Sequence, residues 1–246
     1  MAKKINPNNF RSERAHELRQ IASILERSAV CENVSAIYSV IEHCKNNCPS
    51  GANSWGYDFS KLIFRIDTQK HTQPEDILGL DLELSVSLTG ICHNDDYDDD
   101  SILSLAVDFV ISGKRASGGV SFCSWHHDRH IEGTADEDTY FAHPHYHFQH
   151  GGNKMWGEGD FGEVLVFESP RIAHPPLDGI LAIDYVVSNF CGNKWRKLLD
   201  DGEYVNLIKN AQKRLWRPYA VSTASRWCND VSSNWLPQNL WPQLIM

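Results

Sequence analysis

The chain has 246 residues, 41% hydrophobic and 22% charged, an ordinary folded composition that is long enough for one domain with a buried core. Its net charge of −9 is acidic and excludes broad nucleic-acid binding, which draws its affinity from neutralising phosphates. No run approaches the ~18 apolar residues needed to cross a bilayer, and the charged start lacks an apolar signal segment, so a soluble, cytoplasmic protein is expected.

The charge is uneven along the chain. Lys and Arg stand against Asp and Glu six to three in residues 1–30, nine to 25 in the middle and eight to four in residues 190–230, giving +3, −16 and +4. The basic ends therefore either pack on the acidic centre or form a face for a partner. Seven scattered cysteines with no secretory signal point to free thiols rather than a disulfide framework.

Two amphipathic helices open the chain. Leu18, Ile21, Ala22 and Leu25 form one apolar stripe; Val34, Ile37, Tyr38 and Ile41 form the next, with Asn33 as its N-cap. His43, Cys44 and Cys48 make half a zinc site, but no second pair at suitable spacing follows. After the turn-rich segment NNCPSGANSWG, three strands alternate in polarity: Leu62, Phe64 and Ile66; Leu80 to Leu88; and Leu103 to Ile111. Their period predicts an antiparallel meander with one wet face. The loop HNDDYDDD carries five Asp but lacks the Gly and Glu of an EF-hand, and reads as a solvated hairpin.

Eight of the twelve histidines fall between Trp125 and His174. A strand through FAHPHYHFQHGG would project His143, His145 and His147 to one side. If the preceding hairpin is centred near Ala135, His127 faces His143 and Trp125 faces His145; a one-residue slip presents His126, Asp128 and His130 instead. The first register is the one adopted. Beyond a Gly-rich loop, Val164 to Phe167 reads as a buried strand, and Pro170, Pro175 and Pro176 hold Arg171 and His174 on a rigid connection. Asp178 caps a helix whose face is Leu177, Ile180, Leu181 and Val187. A last helix over residues 203–219 buries Tyr204, Leu207, Ile208, Ala211 and Leu215 and turns Lys209, Lys213, Arg214 and Arg217 outward. The Trp-rich tail either wraps the domain or docks into a partner.

HPHYHFQ is similar to the HxHxHxx core of the histidine-triad nucleotide hydrolases, which implies that His145 attacks an α-phosphate; the likeness covers these seven residues. The order of helix, strand meander, His-Pro segment, strand and helix also resembles the ubiquitin-conjugating fold. That class needs a Cys soon after its His-Pro motif, whereas the next Cys here is Cys191. Neither likeness assigns a family.

The expectation is one α+β domain: a helical cover (1–50), an antiparallel sheet with a His-rich site (55–176), and C-terminal helices with a Trp-rich tail (177–246). Its function is that of a metal-dependent hydrolase. His127, His143, His145 and His147 would supply ligands for Zn²⁺ or a similar ion, with His174 as acid-base group and Arg171 as clamp for a phosphate or carboxylate. The alternative is a protein that binds a partner through its basic last helix and its tail.

Overall fold

The structure, a computed structural model, describes residues 5–66, 72–94, 97–130, 142–151, 155 and 171–244. Helix α1 (Pro7–Ser28) starts where the Asn6 side chain accepts the amides of Asn8 and Asn9, and it stops at Ala29, which turns left-handed at φ 49°. Its predicted stripe is buried. In α2 (Ser35–Asn46) the Asn33 side chain accepts the Ser35 amide at 2.8 Å, one residue before the cap position at Val34. Ile37 and Ile41 point inward, while Tyr38 turns out to donate its hydroxyl to Glu26 at 2.8 Å.

Among the described residues six strands follow: β1 (Ser54–Ile66), β2 (Ile77–Ile91), β3 (Ile102–Arg115), β4 (Val120–Arg129), β5 (Tyr146–His150) and β6 (Ile172–Ala173). They form one antiparallel sheet in sequence order, so the α+β meander read from alternation is the fold. One face carries Leu62, Phe64, Leu82, Leu84, Val86, Val107 and Phe109 into the core. Leu103 departs from the expected alternation. Thr89 pairs with Ser104 but Gly90 pairs with Ile102, and this bulge passes over Leu103, burying Ile102 and exposing Leu103. Gly90 is required there, because a Cβ would lie 2.8 Å from both the Ser101 carbonyl oxygen and Trp55 Nε1.

The C-terminal layer comprises α3 (Gly179–Phe190), α4 (Gly192–Leu198), α5 (Gly202–Ser225) and the short α6 (Pro237–Leu240). Asp178 caps α3 as predicted, accepting the Leu181 amide at 3.0 Å. Among the described residues no helix is long and apolar enough to cross a membrane, and none of the seven cysteines forms a disulfide.

The basic ends pack onto acids. Arg214, expected to face outward on α5, points in and binds Asp178 at 2.8 Å and Glu17 at 3.2 Å; Glu17 in turn binds Arg14 at 2.8 Å. Burial alone would lower the pKa of Arg214, but the two carboxylates outweigh it and the net shift is upward. Arg217 pairs with Asp98 at 3.0 Å.

The Asp-rich loop is more than a solvated hairpin. Asp100 is half-buried and accepts from Arg129 Nε at 3.0 Å, His145 Nε2 at 2.9 Å and the Tyr146 hydroxyl at 2.7 Å. Burial pushes its pKa up, yet the His145 hydrogen bond, the Arg129 charge and the Tyr146 hydroxyl hold it below the usual carboxylate value. Its stabilisation is therefore present above the unfolded-state pKa of about 4 and lost as the pH falls through the lower folded value. Asp100→Ala is expected to cost about 3 kcal/mol at pH 7, read by urea denaturation, because it strands the Arg129 charge. A loss under about 0.5 kcal/mol would mean that water replaces the carboxylate.

The tail wraps the domain. Trp235 is buried against Tyr146, His145 and Tyr219; the Ser222 hydroxyl donates to the Trp235 carbonyl at 2.6 Å, and the His145 amide donates to the Asn239 carbonyl at 2.6 Å. The predicted strand at Val164 to Phe167, the connection IEGTADED and most of the Gly-rich loop lie outside the described residues.

Candidate metal centre

The site is built by the ladder between β4 and β5. Asp128 stands directly opposite His147 and His126 opposite Gln149, which puts these four on the sheet face turned away from the core. His126, Asp128 and His147 each offer a ligand atom, and the three atoms lie within 4.8 Å of one another. His126 Nε2 is 3.5 Å from Asp128 Oδ2. The Nδ1 atom of His147 lies 3.2 Å from the Pro144 carbonyl oxygen. A carbonyl only accepts, so the neutral ring carries its proton on Nδ1 and keeps the Nε2 lone pair for a ligand.

Electrostatics prepare the set for a cation. Burial, with His143, His126 and Arg171 nearby, pushes the pKa of His147 down to about 3, which keeps the ring neutral as ligation requires. The Asp128 carboxyl is pushed up to about 6: burial raises it, His126 offsets part of this, and the like charge of Asp108 adds to it. At neutral pH Asp128 is thus ionised against an unfavourable field, which a bound cation would relieve. That rise corresponds to at most ~3 kcal/mol, and solvent screening of a side chain 36% exposed reduces this to about 1 kcal/mol. Asp128→Asn is expected to stabilise the metal-free protein by about that amount at pH 7.5, measured by denaturation in EDTA. The sign reverses the usual expectation for an acid: folding raises this pKa, so the penalty appears as the pH rises from about 4 through 6. A destabilised variant would show that Asp128 is held by compensating bonds.

The expected register does not occur. His127 faces Phe148 rather than His143, and Arg129 pairs with Tyr146. The pairing is offset by five positions, an odd number, which exchanges the faces. His127 is consequently fully buried on the core side, 4.8 Å from the Phe148 ring, and neither ring nitrogen has a hydrogen-bond partner of normal geometry among the described residues. Burial drives its pKa well below 6.5, with His174 and His147 adding to the effect and the nearby backbone of His174 and Pro175 offsetting part of it.

His143, His145 and His147 do not share a face either. The ladder of β5 begins only at Tyr146; the His145 amide turns to Asn239 and its buried ring, one of the four expected ligands, turns to Asp100. His143 does meet His147, at 4.6 Å between ring centroids, and stacks on His130 at 3.9 Å. Of the four expected ligands the structure brings together His143 and His147. His126 and Asp128, the alternation presented by the slipped register, are the residues that join His147.

The two expected catalytic groups separate. His174 follows β6 and sits on the core side, 5.4 Å from His127 and 4.8 Å from Phe148 between ring centroids, with Nδ1 2.7 Å from the Pro175 carbonyl oxygen. Burial lowers its pKa. Arg171 precedes Ile172 and Ala173, and Ala173 pairs with His147, so its charge reaches the metal-ligand side and contributes to the low pKa of that ring. Cys44 is buried, with its thiol pushed up to about 12, while Cys48 is exposed; the half zinc site does not assemble. Comparison of the chain with protein-family models, with curated proteins and with solved structures finds no match.

Proposed function

We propose that the protein binds a divalent metal ion through His126, Asp128 and His147 and uses it to hydrolyse a substrate bearing a phosphate or carboxylate. The observation that carries this reading is the convergence of three ligand atoms within 4.8 Å on one face of the sheet. Two imidazoles and a carboxylate suit Zn²⁺ and similar ions, and three protein ligands leave a position open for water or substrate. Such an ion lowers the pKa of bound water to about 7. His126, Asp128 and His147 would hold the ion in place, and Arg171 would supply a planar guanidinium for the anionic group. His174 has no part in this reading, since it faces the core.

Protein purified without a His tag should take up one equivalent of Zn²⁺, and His126→Ala, Asp128→Ala and His147→Ala should each lose it. Metal-dependent turnover of aryl phosphate or aryl ester probes should fall on Arg171→Ala chiefly through a raised KM. Less than one equivalent bound by the wild type, or unchanged binding in all three variants, defeats the reading.

A second reading, association with a protein partner through the C-terminal region, is favoured by the exposure of Trp227, Leu236 and Trp241. Trp227→Ala combined with Trp241→Ala should then abolish co-purification of a partner while leaving the fold intact. Deletion from residue 235 onward is unsuitable, because Trp235 belongs to the core.

A further inference from the structure

Two cysteines from distant parts of the chain share one cleft. Cys31 lies in the connection between α1 and α2, and Cys191, 160 positions later, lies between α3 and α4. Both line a cleft of about 510 Å³, together with Arg65 and Lys194. Lys194 holds the two connections against each other, since its ammonium donates to the Ala29 carbonyl at 2.9 Å. The sulfurs also lie in one field: burial raises the pKa of Cys31 most, and Glu32 and Cys191 add to the rise. Neither sulfur is bonded to another. Cys31 is 9% and Cys191 8% exposed, so a small molecule in the cleft reaches them while the thiol of a second protein does not. Burial opposes the thiolate charge that a metal site would need, whereas a disulfide is uncharged and suits the same surroundings.

We propose that Cys31 and Cys191 form an oxidisable pair, and that a peroxide entering the cleft closes a disulfide between them. The Cys191 sulfur, as thiolate, attacks one peroxide oxygen; the O–O bond breaks, the other oxygen takes up a proton and leaves as water, and Cys191 becomes a sulfenic acid. The Cys31 sulfur then gives up its proton, attacks the Cys191 sulfur and displaces the hydroxyl group as a second water. The two sulfurs lose two electrons in all, and one peroxide becomes two waters. Cys31 takes the second step because its thiol donates to the Ile63 carbonyl at 3.1 Å, which holds the proton on the sulfur. The bridge requires Cα atoms within about 7 Å, so closure draws the connection after α1 onto the start of α4. It ties the helical cover to the C-terminal layer and removes conformations from the unfolded chain. No residue lining the cleft is a metal ligand, so the inference is independent of the metal reading.

The test uses the reduced full chain, treated with hydrogen peroxide at pH 7.5 and then alkylated. Non-reducing peptide mapping should show the Cys31 and Cys191 peptides joined, lighter by two hydrogens than the separate reduced peptides and released by dithiothreitol. The bridged protein should melt roughly 10 °C above the reduced one, as expected for a bridge that closes a long loop. Cys31→Ser should form no bridge and leave Cys191 as a sulfenic acid that dimedone labels, whereas Cys191→Ser should leave Cys31 a thiol. Mapping of the wild type decides the pairing even where a serine variant does not fold. Alkylation of both thiols after peroxide, a bridge from either one to another cysteine such as the exposed Cys48 or Cys228, or an unchanged Tm in the bridged protein overturns the proposal.

Discussion

Replacing Asp178 with alanine is expected to lower the unfolding free energy by about 3–5 kcal/mol, the range found when one partner of a buried ion pair is removed. Asp178 is 1% exposed and binds Arg214 at 2.8 Å, and the same guanidinium reaches Glu17 at 3.2 Å. Without Asp178 the Arg214 guanidinium is left with Glu17, which it shares with Arg14, a second cation that already opposes it: Arg14 has its pKa lowered first by burial and then by Arg214. The α3 cap is lost as well, a further contribution of about 1 kcal/mol. Asp178→Asn keeps an acceptor for the Leu181 amide and should fall between the variant and the wild type. Asp178→Ala combined with Arg214→Met should recover much of the loss, because it removes the stranded charge. Urea denaturation at pH 7 decides this, and a single-variant loss under about 1 kcal/mol would mean that solvent reaches Arg214.

Thermal stabilisation by Zn²⁺ should be present at pH 7.5 and gone by about pH 5. A ligand stabilises the state it binds, by about 2.7 kcal/mol at 100 times its Kd. Asp128 holds its proton up to about pH 6 in the metal-free protein, so the ion must displace that proton in mild acid and affinity falls with pH. His147 is neutral down to about pH 3 and releases no proton anywhere in this range. Three ligands therefore release at most two protons, and a plot of log Kd against pH should have a slope no steeper than two. A slope approaching three, the behaviour of a site built from three ordinary histidines, or equal stabilisation at both pH values, would rule out this ligand set.

Helices and strands were legible because burial imposes periods of 3.6 and two on the chain. Leu18 to Leu25 and Leu82 to Leu88 show those periods, and they form the core. Register was not legible. Period two shows that His126 and His127 take opposite faces, but the face that is buried depends on where the hairpin turns, and the polar connection between Arg129 and His143 carries no period to locate it. His145 escaped for a different reason: its orientation is set by Asp100, 45 positions away, and by Asn239, through bonds that no local pattern encodes. Asp100 itself is hidden among five aspartates, and its burial follows from meeting Arg129, His145 and Tyr146 in space.

The meander has a consequence for how the chain assembles. Each strand pairs with its sequence neighbour, so β1 to β4 can zip up from successive hairpins with short loop closures. The charge cluster between the two ends cannot, since Arg214 meets Glu17 across 197 positions. A growing chain thus presents Arg14 and Glu17 long before α5 and Arg214 exist, and the acidic centre is complete before the basic C-terminal helix docks. Pulsed hydrogen exchange during refolding should protect β2 and β3 first and the α5 amides last. Simultaneous protection of α5 and the sheet would show that the ends close in the same step.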